Sequence, residues 1–165
     1  MAKFTAMVAN GGRDIPVTII REVRNRDGEI VDRADIDSSV AERLGRTRHE
    51  RQDLDIKPEH LYAVLQGMWG ATEEIGGTAH SIFRDFPIEI GGKTGSAEAG
   101  NNVNAWFVGF APFHEPEIAI VVHVENGGRG FHTAEVVRDI LEVYFGINED
   151  ILEDRMARPI TGGRN

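Results

Sequence analysis

Pro87-Ile88-Glu89-Ile90-Gly91-Gly92-Lys93-Thr94-Gly95-Ser96-Ala97-Glu98 is the stretch on which the reading of the fold turns. A short apolar run meets a pair of glycines, then a lysine, a hydroxyl, a third glycine and a second hydroxyl. A strand that sheds its side chains at Gly91, Gly92 and Gly95 opens its backbone to close approach. The cation and the two hydroxyls among those glycines are the groups that hold and align an anion.

Downstream, Gly100-Asn101-Asn102 makes a polar turn and Ala105 to Ala111 reads as a second strand. Pro112 to Pro116 turns the chain again. Glu117 to Glu125 then holds Ile118-Ala119-Ile120-Val121-Val122, a buried strand closed by Asn126-Gly127-Gly128. Thr133 to Phe145 has helical spacing: Val137, Ile140, Leu141 and Tyr144 share a face, with Thr133 as the expected cap.

Upstream, Pro58 suits a first helical turn, and Leu61, Val64, Leu65, Met68 and Trp69 recur at helical spacing until Gly70 and Gly76-Gly77. Met68 and Trp69 read as core rather than as ligand-lining residues. Residues Ala2 to Ala9 form the last turns of a helix ended by Asn10-Gly11-Gly12. Starting so close to a helix end suggests a chain whose natural beginning lies upstream. Asp27-Gly28 between two β-rich runs predicts a hairpin from about Val17 to Val31. Arg33 to Asp55 is polar and aperiodic; it reads as a solvated loop with a short helix near Ser39 to Leu44. Its arginines, Arg43, Arg46, Arg48 and Arg51, are interspersed with acids, which favours a solvated face over a phosphate site.

The fold class is therefore α+β: three short antiparallel strands packed by an amphipathic helix before and another after, plus an N-terminal hairpin. Residues 1–147 form the folded portion, and 148–165 an acidic tail expected to fray.

Composition bounds the function. The 165 residues are enough for one domain with a sizeable core, and 41% apolar with 27% charged residues is ordinary for a globular chain. A formal charge of −9 argues against general nucleic-acid binding, which relies on basic surface. Cysteine is absent, so there is no disulfide, thiolate metal site or cysteine nucleophile. No apolar run approaches the roughly 18 residues of a membrane span, and no signal peptide opens the chain. The six histidines are scattered. His49-Glu50-Arg51-Gln52-Asp53 lacks the second histidine of a zinc-protease helix, so neither a metal nor a cofactor is expected.

Two motifs compete for the central stretch. Gly92-Lys93-Thr94 looks like the end of a phosphate-binding loop, but Pro87 stands where that loop needs its first glycine. Gly95, Gly100 and Asn101-Asn102 also oppose the helix that would have to follow. The alternative is the Lys-Thr-Gly element of penicillin-recognising serine acyl-transferases, a known signature. Here it stands as Lys93-Thr94-Gly95-Ser96, followed by Asn104-Ala105-Trp106-Phe107-Val108-Gly109-Phe110-Ala111-Pro112, a third apolar strand and a helix. That order resembles the C-terminal part of the transpeptidase domain of class B penicillin-binding proteins. Ala9-Asn10-Gly11-Gly12, the Asp27-Gly28 hairpin, and Gly67-Met68 before Gly77-Thr78-Ala79 resemble it too, so the likeness spans about Ala2 to Phe145.

The resemblance implies an active-site serine that attacks a D-alanyl-D-alanine stem peptide of peptidoglycan, or a β-lactam, to form an acyl-enzyme. Lys93 would supply positive charge and organise proton transfer. Thr94 and Ser96 would bind the substrate carboxylate, the Ser96 N–H would form half of the oxyanion hole, and Gly95 would allow close approach. The catalytic candidates are thus Lys93 and Ser96, and the substrate-binding ones Thr94, Gly95 and Ser96.

The family also needs Ser-x-x-Lys and Ser-x-Asn. Ser38, Ser39, Ser81 and Ser96 are followed three positions on by Ala41, Glu42, Arg84 and Ala99, and none has asparagine two positions on. The chain is therefore expected to be inactive alone, its partner being the N-terminal half of the same domain. The resemblance implies a five-stranded sheet, with the first two strands and the nucleophile helix in that half. It also implies a membrane-anchored parent with this domain outside the cytoplasm. Without that half the Ile118–Val124 edge is left apolar and open, which predicts a homodimer or strand exchange. A rival reading is a natural non-catalytic or split module that binds a partner chain or cell-wall peptide.

Overall fold

The computed structural model describes residues 1–15, 17, 19–45 and 53–147. Arg46, Arg48, His49, Glu50 and Arg51, and the tail 148–165, lie outside the described residues. Helix α1 spans Ala2–Ala9, α2 Arg33–Leu44, α3 Pro58–Glu73 and α4 His80–Phe83. Strands β1 (Gly91–Ala99), β2 (Asn102–Ala111) and β3 (Ile118–Val124) follow, then α5 (Phe131–Tyr144). Among the described residues the strands form one antiparallel sheet in the order β1-β2-β3, with Lys93 opposite Val108 and Phe107 opposite Val122. The α+β architecture read from the sequence is the observed one.

Strand alternation gives each face its own core. On one face Phe107, Ala111 and Ile120 pack with Ile82 and Phe83 of α4 and with Ala134, Val137 and Leu141 of α5. On the other, Phe110 packs with Val8 of α1 and Met68 of α3, flanked by Leu61 and Leu65. Met68 is thus core, as its spacing predicts.

Two adjacent residues of α3 grip the residue that precedes β1. The buried Thr72 hydroxyl donates to the Ile90 carbonyl at 2.5 Å, and the Glu73 carboxylate accepts the Ile90 N–H at 3.0 Å. Beyond α3 the chain folds sharply back on itself. A Cβ on Gly77 would stand 2.7 Å from the Ala71 carbonyl oxygen, so only glycine lets the return segment lie against the helix end.

Several expectations change. The N-terminal hairpin shrinks to its tip: one bridge joins Arg24 and Ile30, around a turn closed by Gly28 N–H to the Asn25 carbonyl at 3.1 Å. The strand pairing predicted back to Val17 is absent among the described residues. Helix α2 is longer than the short helix near Ser39. Asp32 caps it by accepting the Ala34 N–H at 2.7 Å, and Gly45 ends it in the left-handed region. Its period is faint because the side it turns to Val23 and Val31 mixes Ile36 and Val40 with Asp35, Ser39 and Arg43.

Thr133 does not cap α5. The helix begins at Phe131, and buried Thr133 lies inside its first turn, donating to the Gly130 carbonyl at 2.5 Å. Val137 and Leu141 are fully buried, but Ile140 and Tyr144 are 41% and 50% exposed. The inward stripe is rotated toward α4, where Arg138 bridges Glu142 at 2.9 Å, donates to the Ile82 carbonyl and lies over the Phe86 ring.

Candidate functional site

The residues singled out in the sequence occupy β1, an edge strand of the sheet. Alternation sends Lys93 to one face and Thr94 and Ser96 to the other. Lys93 therefore borders an apolar groove of about 400 Å³ between α1, α3 and the sheet, whose lining includes Phe4, Val8, Val64, Met68 and Val108. Its ammonium donates to the Thr94 backbone carbonyl at 2.5 Å, which holds the charge beside the strand.

On the opposite face the two hydroxyls have partners from distant segments. Thr94 Oγ1 lies 2.9 Å from Thr78 Oγ1, in the return segment ahead of α4. Ser96 Oγ accepts the Gly130 N–H at 3.0 Å, from the loop ahead of α5. A hydroxyl that accepts from a backbone amide keeps its own hydrogen free to donate elsewhere. The Ser96 hydroxyl thereby keeps its hydrogen available for a further acceptor.

The glycines divide by role. A Cβ on Gly91 would meet the Phe110 ring at 2.5 Å, and one on Gly92 would overlap the Phe107 ring. These two glycines admit aromatic side chains of β2, not a ligand, which corrects the expectation of an open backbone there. Gly95 differs. Its own Cβ would meet only Trp106 Cβ, at 3.3 Å, while Gly130 packs against the Gly95 backbone so closely that a side chain at 130 has no room. The close approach at Gly95 is thus filled on one side by the loop that also supplies the Ser96 amide partner.

Glu73 is a titratable group whose environment moves it. Burial pushes its carboxyl above the ordinary carboxylate value and the nearby Glu89 adds to this, while the Ile90 N–H and His80 work in the opposite direction. Its carboxylate touches the residue three positions before Lys93, so it belongs to the support of the strand.

Sequence reading missed Thr78, Gly130, Thr72 and Glu73. Gly77-Thr78-Ala79 was visible as a familiar tripeptide, but nothing local said that its hydroxyl meets Thr94. Among the described residues the histidines form no cluster with other metal-ligating side chains. His123 stacks on Trp106 at 4.0 Å and His114 pairs with Glu89 at 3.2 Å. Among the described residues no group of three or more His, Asp or Glu side chains is placed to hold a metal ion, and no helix is long and apolar enough to cross a membrane.

Comparison with known proteins supplies the family. The family model described as the penicillin binding protein transpeptidase domain matches residues 1–142. The peptidoglycan D,D-transpeptidase MrdA of Escherichia coli K12 is 30% identical over 110 residues, covering 57% of this chain and 17% of that protein. The chain thus spans about a sixth of the length of that curated relative. The crystal structure of Pseudomonas aeruginosa PBP2 in complex with WCK 5153 superimposes with a TM-score of 0.62 at 27% identity, covering 87% of this chain and 28% of that one. Penicillin-binding protein A from M. tuberculosis, in its imipenem acyl-enzyme complex, gives a TM-score of 0.65 at 24% identity over 87% of this chain and 29% of that one, a likeness of fold.

Proposed function

Since the chain belongs to the penicillin-binding protein transpeptidase domain family, we propose that it supplies the substrate-binding strand of a peptidoglycan D,D-transpeptidase. The observation that carries this is the arrangement of Lys93, Thr94 and Ser96 on an edge strand, with Ser96 Oγ already accepting a backbone N–H. Thr94 and Ser96 donate to the terminal carboxylate of a D-alanyl-D-alanine stem peptide, or to that of a β-lactam. The Ser96 N–H donates to the oxyanion formed at the scissile carbonyl, where one such donor is commonly worth ~10²–10³ in rate. Gly95 keeps the strand slim between those contacts. Lys93 holds a positive charge close to the nucleophile and assists its deprotonation.

None of the four serines of this chain stands in a Ser-x-x-Lys or Ser-x-Asn pattern. The nucleophile and its base therefore come from other residues of the complete enzyme, and this chain alone does not acylate. The apolar groove beside Lys93 gives a nucleophile-bearing helix a place to seat with its serine near the ammonium. The complete enzyme is membrane-anchored with this domain outside the cytoplasm. Residues 1–147 act as the C-terminal portion of its transpeptidase domain. The outer edge of β3 takes up a further strand there, and in the isolated chain it pairs with a second copy.

Incubation with a fluorescent penicillin followed by a denaturing gel tests the reading. This chain should carry no covalent label. A companion polypeptide bearing Ser-x-x-Lys and Ser-x-Asn should be labelled efficiently only when this chain is added, and not when Lys93→Ala is added instead. A labelled band on this chain alone, or labelling of the companion indifferent to Lys93, overturns it.

A further inference from the structure

We propose that Thr78 is a positioning residue for anion recognition: its hydroxyl donates to Thr94 Oγ1 and thereby turns the Thr94 hydrogen toward the substrate carboxylate. The inference rests on the reading of β1 as the carboxylate-binding strand. Without a ligand Thr94 Oγ1 is placed as donor to Thr78 Oγ1 at 2.9 Å, a separation that serves donation in either direction, so an arriving anion reverses the bond. The pair has two hydrogens, and one is used within it. If Thr94 donates inward, its oxygen turns only lone pairs outward and repels a carboxylate. If Thr78 donates, the Thr94 hydrogen is free and the ligand's charge favours that arrangement. A chain of two hydroxyls ending on an anion is also polarised along its length, which strengthens the outer bond.

The neighbouring hydroxyl follows the same rule by a different device. Ser96 Oγ accepts from the Gly130 N–H, so its own hydrogen is left for a further acceptor. Gly130 is held in turn by Thr133, whose hydroxyl donates to the Gly130 carbonyl. Thr94 and Ser96 are two residues apart on the same side of the strand, and the hydroxyl of each meets a partner outside β1 that is able to donate to it. The result is a two-donor clamp matched to the two oxygens of a carboxylate. It has no matching preference for a carboxamide, which brings its own N–H donors.

Thr78 is exposed, so its substitution should leave the fold intact. The test is an NMR titration of the 15N-labelled chain with N-acetyl-D-alanyl-D-alanine, and with its C-terminal amide, following the Thr94 and Ser96 amides. Wild type should bind the carboxylate ligand and shift both signals. Thr78→Val should weaken carboxylate binding about fivefold and leave amide binding unchanged, and Thr78→Ser should restore the wild-type affinity. Equal binding by wild type and Thr78→Val overturns the inference while leaving the strand's assignment standing, as does an equal loss for both ligands. A wild-type chain whose Thr94 and Ser96 signals ignore the dipeptide removes the assignment of the strand, and this inference with it.

Discussion

The ring of Phe107 on β2 fills the space that a side chain on Gly92 of β1 would need. The next glycine along, Gly91, has the same relation to Phe110 on the other face, at 2.5 Å from a would-be Cβ to the ring. A glycine pair ahead of a lysine looks like a ligand cradle, yet here it lets two aromatic rings from one strand pack against the backbone of the next. Both rings are fully buried and belong to opposite cores. Gly92→Ala should therefore overpack the α5 face and cost about 1–3 kcal/mol, measured by urea unfolding. Phe107→Leu in the Gly92→Ala background should recover part of that loss. Strict additivity of the two substitutions would mean that the ring and the glycine do not share the space.

Thr72 ties α3 to the start of β1. Its hydroxyl is fully buried and donates to the Ile90 carbonyl, with the Trp69 carbonyl oxygen at 3.0 Å. Thr72→Val keeps the shape and deletes the donor, leaving a buried carbonyl without its partner. The expected loss is about 1–3 kcal/mol, and amide exchange at Gly91 and Gly92 should quicken more than exchange at β3. Uniform quickening over the whole sheet would show that Thr72 supports the fold at large and not this junction.

Glu73 gives a stability effect with a defined sign. Its carboxyl is raised above the ordinary 4.5 chiefly by burial, so the folded state holds the proton more tightly than the unfolded chain. The resulting stabilisation is fully present below 4.5 and is lost as pH rises through the raised value. Glu73→Gln keeps an acceptor for the Ile90 N–H and removes the charge. The variant should thus melt higher than wild type at pH 7, and the two melting curves should converge as pH falls below 4.5. A gap that is constant with pH, or of the opposite sign, would rule out burial of the ionised carboxylate as the cause.

The outer edge of β3 is unpaired among the described residues and carries no charged residue from Ile118 to Val124. Such an edge recruits strands. Light scattering should detect concentration-dependent self-association of this chain, and Val124→Lys, at a position already 41% exposed, should lower it. A well-behaved monomer at high micromolar concentration would remove the self-pairing idea.

Much of the architecture was legible because it is periodic. Ile118 to Val122 reads as a strand from its apolar, mostly β-branched run, though only Ile120 of it is buried, and Leu61, Leu65 and Met68 read as a helical stripe from their spacing. Where the period is faint the reading slipped. Helix α2 is polar on most sides, and its twelve residues came out as a loop with a short helix. Thr133 looked like a cap because a hydroxyl at a helix start usually is one, whereas Gly130 and Phe131 already open the helix. The hairpin reads too long because pairing needs two matching arms, and among the described residues the one bridge between the arms is that of Arg24 with Ile30.

What the sequence determined by itself is the order of elements and the presence of Lys93-Thr94-Gly95-Ser96 on a strand, since both follow from local pattern. It also carried the family, which rests on motif order along the chain. Tertiary structure alone decided which groups meet the Thr94 and Ser96 hydroxyls. Thr78 lies 16 residues from Thr94, and Gly130 lies 34 from Ser96. Their meeting depends on the sharp return at Gly77 and on the loop that brings α5 back over the sheet. Local pattern encodes the period of an element and the face a residue occupies, but not which distant segment crosses that face. The glycines make the same point: a missing side chain announces close approach, and only packing says that the visitor is Phe110, Phe107 or Gly130.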